Sequence, residues 1–181
     1  NYTRVYFILH QYFYETDVVK SAEYLNKYLA AKGSDETNSC FLQAQMKFAQ
    51  GLLAETLSAA NACVAATPTP YPNLYGLIAY SAYKLNDTVG AKNAFEKYFK
   101  TQKPEKIGVR DWFTYGEILL KFPGNEALAG TYISKAVELD STEAGKVALL
   151  KSVASTYEKR GQYAEAGEWY KKVLAIKKIP S

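Results

Sequence analysis

Apolar residues recur every three to four positions along most of this 181-residue chain, and that spacing predicts amphipathic helices rather than strands. The clearest stretch runs from Val147 to Pro180. Leu150, Val153, Ala154 and Tyr157 form one stripe, and Tyr163, Ala166, Tyr170 and Val173 form the next. Between them lies Lys159-Arg160-Gly161-Gln162, where glycine breaks the helix, and Pro180 closes the unit. The small residues Ala154 and Ala166 fall where two antiparallel helices must approach closely. The stretch reads as a helical hairpin.

The same alternation of stripe, break and stripe can be laid along the rest of the chain, with starts at residues 3, 37, 72, 109 and 147. In the first unit Tyr6, Leu9, His10 and Phe13 precede a break at Glu15-Thr16-Asp17, and Val19, Ala22 and Leu29 follow, up to a stop at Gly33-Ser34. In the second, Asn38 or Ser39 is the expected N-cap, and Cys40, Ala44 and Phe48 precede Gly51. Its second stripe, from Leu53 through Ala60 and Cys63, is ended by Pro68, Pro70 and Pro72, since proline cannot continue a helix. The third carries Tyr75, Ile78, Ala79 and Ala82, a turn at Asn86-Asp87, then Ala91, Phe95 and Tyr98. The fourth carries Trp112 and Gly116, a longer turn over Lys121–Asn125, then Ala129, Ile133 and Ala136. The predicted units are 3–35, 37–70, 72–106, 109–142 and 147–180, together one repeat domain over residues 1–181.

A large apolar residue, then Leu-Gly-x-x-Tyr, Ala-x-x-x-Phe and a closing Pro within about 34 residues is the tetratricopeptide pattern. The chain resembles that family over residues 3 to 180, most specifically in its last three units. Leu150 stands at the Trp position, Ala154 at the Gly, Tyr157 at the Tyr, Ala166 at the Ala and Tyr170 at the Phe. His10 departs from the pattern, because it occupies a position the family gives to a small residue. The resemblance implies an all-α fold, a right-handed α-α superhelix of about five helix pairs whose first helices line a concave groove. It also implies a non-enzymatic scaffold that binds a peptide or protein segment. By register, the groove residues are Phe7, Gln11 and Tyr14, then Phe41, Gln45 and Phe48, then Tyr80 and Tyr83, then Arg110, Phe113 and Glu117. Aromatic anchors with amide and Arg neighbours suit a protein interface; the same Phe7, Phe41 and Phe113 would equally fill space between adjacent first helices. The carboxylate clamp of one version of the family needs Lys and Asn, where this chain has Phe7, Gln11 and Leu42. No chaperone-tail binder is expected.

Charge adds little to this picture. The net charge is +4, with 6 basic and 7 acidic residues up to position 90 and 16 and 11 after it. That is a basic lean rather than a nucleic-acid footprint, and no nucleic-acid partner is expected. Lys97, Lys100, Lys103 and Lys106 read as a solvated helix face. No apolar run reaches the length of a membrane span. Cys40 and Cys63 fall in one unit, either as a disulfide across the helix pair or as two buried thiols. The compartment is open between cytoplasm and bacterial periplasm, a disulfide favouring the periplasm. Two Cys and one His without ligand spacing give no metal site, and no cofactor or catalytic motif is present. The only histidine, His10, is expected in the core.

Two other readings remain. One is a carbohydrate-binding helical-repeat protein of a bacterial outer membrane system, with Tyr80, Tyr83, Trp112 and Phe113 as stacking platforms. The other is a spacer or oligomerisation arm, self-associating through its repeat ends. The chain starts at Asn1 without Met, and the last unit leaves Tyr163, Trp169, Tyr170, Val173 and Ile176 with no evident polar lid. A fragment of a longer chain is the expectation.

Overall fold

The computed structural model describes residues 2–32 and 36–177. The fold is all-α, with ten α-helices and no strand among the described residues. They are α1 (Tyr2–Phe13), α2 (Val18–Lys32), α3 (Glu36–Ala49), α4 (Leu53–Ala66) and α5 (Pro72–Lys84), followed by α6 (Thr88–Thr101), α7 (Val109–Leu120), α8 (Glu126–Leu139), α9 (Glu143–Glu158) and α10 (Tyr163–Lys177). Consecutive helices pair as hairpins, so the five predicted units are five helix pairs. No helix among the described residues is long and apolar enough to cross a membrane.

Three of the turns repeat a single solution. Gly51, Asn86 and Gly161 have φ of 76°, 63° and 73°, the left-handed region that glycine and asparagine tolerate best. In each turn two backbone bonds close the preceding helix. Gly51 N–H donates to Phe48 O at 3.0 Å and Leu52 N–H to Lys47 O at 3.0 Å. In the third pair Asn86 donates to Tyr83 and Asp87 to Ala82; in the fifth Gly161 donates to Glu158 and Gln162 to Tyr157. The fourth pair has the longer turn, with its left-handed residue at Gly124. The first pair turns without one, and Asp17 Oδ1 caps α2 by accepting from Lys20 N–H at 3.0 Å.

The helices group into two compact units, Asn1–Gln102 and Lys103–Ser181. In the first, Leu25, Leu42 and Met46 form a buried cluster against which Phe7, Tyr14 and Phe41 pack. Helix α5 packs on both α3 and α4, burying Leu74 and Ile78. In the second unit Ile118, Leu119, Ile133 and Val153 are buried where α7, α8 and α9 meet. There Arg160 Nη1 donates to Leu120 O at 2.6 Å, so the last turn supplies a donor to the carbonyl end of α7.

Three expectations need correction. Helix α3 already runs from Glu36, so Ser39 lies inside it rather than capping it, and the side chain of Asn38 lies outside the described residues. The stop at Gly33-Ser34 and the closing Pro180 also lie outside them. The lysine series is not one helix face: α6 ends at Thr101, and Lys106 belongs to a short 3-10 turn at Pro104–Lys106. The last pair has more cover than expected, since Lys172 Nζ sits 3.8 Å from the centroid of Trp169 and Val173 is buried. Tyr170 Oη donates to Glu158 Oε2 at 2.9 Å, and only Tyr163 of the residues named is fully open. Of the two states open to Cys40 and Cys63, the structure has the first. They form a disulfide joining α3 to α4, with Cα atoms 5.9 Å apart, a normal span for such a bond.

Candidate functional site

Register explains what the first pair does differently. The two small positions of a hairpin fall on facing stripes, and in pairs three and five they hold Ala79 with Ala91 and Ala154 with Ala166, all fully buried. In the first pair the same positions hold His10 and Ser21, buried to 4% and 0% exposure. Two polar groups so placed must satisfy each other. Ser21 Oγ donates its one proton to the backbone carbonyl of His10 at 2.9 Å. His10 Nδ1 then faces Ser21 Oγ at 2.8 Å and Ser21 O at 3.1 Å. A carbonyl only accepts, and the hydroxyl proton is already spent, so Nδ1 must carry the proton. Burial holds the imidazole below its ordinary pKa, against a smaller opposing effect of the bond to Ser21. The ring is therefore neutral at physiological pH, and Nε2 is an acceptor.

His10 also lines a cleft between α1 and α3. Its walls are Phe7, His10, Gln11, Tyr14, Leu42 and Gln45, and its volume is about 240 Å³. Aromatic contacts fix the walls. The ring of Phe7 lies 4.9 Å from Tyr28, and Tyr14 stands edge-on to His10 at 5.9 Å. Tyr14 shares a side-chain hydrogen bond with Gln45; burial outweighs it and raises the phenol's pKa, so the hydroxyl stays protonated. None of the lining side chains carries a charge.

The cleft thus brings together four of the residues predicted from the sequence: Phe7, Gln11, Tyr14 and Gln45. The other predicted residues of this unit lead elsewhere. Phe41 packs edge-on against Tyr71 at 4.9 Å, and Phe48 lies 6.5 Å from Tyr80 with Lys84 Nζ 5.7 Å from its centroid. Tyr80 in turn meets the buried Phe95 at 5.2 Å, while Tyr83 is half-buried on α5. Phe41, Phe48 and Tyr80 therefore fill space between successive pairs. Arg110, Phe113 and Glu117 lie on α7 in the other compact unit, where Glu117 accepts from Ser152 Oγ at 3.1 Å. Trp112, offered as a sugar platform, packs on Tyr132 at 5.2 Å. The participants missed in the sequence were His10 and Leu42 as cleft walls. The pairing of a bulky His with Ser at the two small positions was the available signal.

These features define a helical-repeat protein with the tetratricopeptide-like fold. No family model and no curated protein matches the chain, while solved structures do. It is similar to MamA, residues 41 to end, from Desulfovibrio magneticus, with a TM-score of 0.70 over 97% of this chain and 94% of that one at 14% identity. It is also similar to the TPR-like repeats of a putative kinesin light chain from Podosopora anserina, with a TM-score of 0.64, 96% and 93% coverage and 18% identity. A third is the C-terminal part of a TPR repeat-containing protein from Cytophaga hutchinsonii, with a TM-score of 0.52, 76% and 65% coverage and 21% identity. At these identities the likeness is one of fold.

Proposed function

We propose that this chain is a non-enzymatic interaction scaffold that holds a peptide or protein segment against the first helices of its pairs, in a compartment where disulfides persist. The observation that carries the reading is the α1–α3 cleft, where four residues expected by register on the groove side of the first helices surround one uncharged, aromatic-walled recess. An aromatic recess with amides at its rim suits a side-chain anchor. The Cys40–Cys63 bond supports an oxidising compartment.

The test is site-specific photo-crosslinking in the native source. A photoreactive residue placed at Gln11 is expected to capture a discrete protein. The same residue at Asn61, exposed on α4, captures none, and Tyr14→Ala abolishes capture at Gln11. Equal capture at Gln11 and Asn61, or none at either, removes the reading.

A further inference from the structure

The chemistry of the α1–α3 cleft narrows what it takes, and this step rests on the scaffold reading above. We infer that the cleft receives an aromatic side chain carrying one hydrogen-bond donor, the indole of Trp or the phenol of Tyr, with the donor directed at His10 Nε2. Three observations converge on that ligand. First, the ring of His10 is hydrogen-bonded through Nδ1, to Ser21 Oγ and Ser21 O. That leaves a neutral acceptor on a residue only 4% exposed. Such an acceptor exchanges water for a ligand's donor at a modest net gain.

Second, the lining holds Phe7, Tyr14 and Leu42 against the amides of Gln11 and Gln45, with no charged group. A carboxylate or phosphate would find no cation there, and an ammonium or guanidinium no carboxylate, so a charged ligand would lose hydration without a paired charge. An uncharged donor has no such cost. Third, the volume of about 240 Å³ is below that of sites for whole small molecules and suits one large side chain. A ring between Phe7 and Tyr14 makes the offset or edge contacts that aromatic pairs favour.

His10 is the only histidine in the chain, so its imidazole can be followed without assignment ambiguity. The experiment uses the full chain, ¹⁵N-labelled, with long-range ¹H–¹⁵N correlation of the ring. The probes are N-acetyl-tryptophanamide and its 1-methylindole analogue, which lacks the N–H. The free chain is expected to show the Nδ1–H tautomer. The indole probe shifts the Nε2 resonance together with signals of Tyr14 and Gln45, and the methylated probe binds roughly fivefold to tenfold more weakly, the worth of one hydrogen bond, without moving Nε2.

An Nε2–H tautomer in the free chain overturns the inference. So does equal binding of both probes with Nε2 unmoved, which would show an aromatic recess that ignores the donor. Silence at the cleft with both probes, while crosslinking from Gln11 persists, ends the inference and leaves the scaffold reading standing. Silence together with loss of that crosslink ends both.

Discussion

At the crossing of α7 and α8 a Cβ added to Gly116 would stand 2.6 Å from Cγ1 of Ile133 and 3.2 Å from the carbonyl of Ala129. At the crossing of α1 and α2 the equivalent positions hold an imidazole and a hydroxyl, bonded three ways to each other's side chain and backbone. One crossing is set by the absence of side chain, the other by a polar pair that consumes its own donors. The comparison separates two properties that a repeat pattern bundles together. Close approach demands only that nothing protrudes. A polar substitute at the same point must be satisfied, and the residue so satisfied here also lines a cleft. The departure from the pattern and the candidate site are one feature.

The second pair stands between these cases. Ala44 and Thr56 occupy its small positions and are fully buried, with Thr56 Oγ1 donating back to Leu52 O at 2.8 Å, yet a disulfide also staples α3 to α4 across 23 residues. Its removal is the largest expected effect. Reducing the bond, or replacing both cysteines by Ser, should lower stability by about 3 kcal/mol, the loop-closure value for a ring of this size, read as the urea midpoint with and without dithiothreitol. An unchanged midpoint would mean that small-residue contact alone holds the second pair, as it does the fourth.

Gly116→Val tests the other side of the comparison. Its Cβ meets the buried Ile133 and a backbone carbonyl, neither of which can swing clear, so the cost should be about 2 kcal/mol, in the range of overpacked cores. Urea unfolding followed by circular dichroism would measure it. A neutral substitution would show that α7 and α8 separate easily, and that contact at Gly116 does not set the crossing.

How much of this was legible depended on whether local rules decided it. Gly51, Asn86 and Gly161 marked their turns because few other residues tolerate a positive φ, and the alanine positions followed from helical periodicity. The disulfide did not follow, because two cysteines 23 residues apart bond only if the helix crossing brings them within reach. Phe41 was ambiguous, and Phe48 and Tyr80 were assigned to the groove, for a related reason. The face of a first helix that meets a ligand adjoins the face that meets the next pair, and one residue of register separates them. His10 was correctly expected in the core, but its partner Ser21 lies on another helix, and only aligning the two small positions pairs them.

The smallest effect is the most specific to the first pair. His10 is held below its ordinary pKa of 6.5 by burial, so the unfolded chain takes up a proton at a higher pH than the folded one. Stability rises with pH wherever the unfolded state binds more protons. The contribution of neutral His10 is therefore complete above about 6.5 and is lost progressively as pH falls from there toward the depressed folded value. Asp17 and Asp140 are also lowered, by hydrogen bonds from Lys20 and Thr142, but they titrate in the acid range and leave the interval between pH 5.5 and 7.5 untouched. Urea midpoints measured across that interval should fall toward the acid side in the native chain, and the slope should vanish in His10→Gln. The fourth pair, joined through Gly116 and Ala129, has no such group at its crossing. A slope that survives in His10→Gln would place the titrating group elsewhere and remove the claim that the first crossing is held by a neutral imidazole.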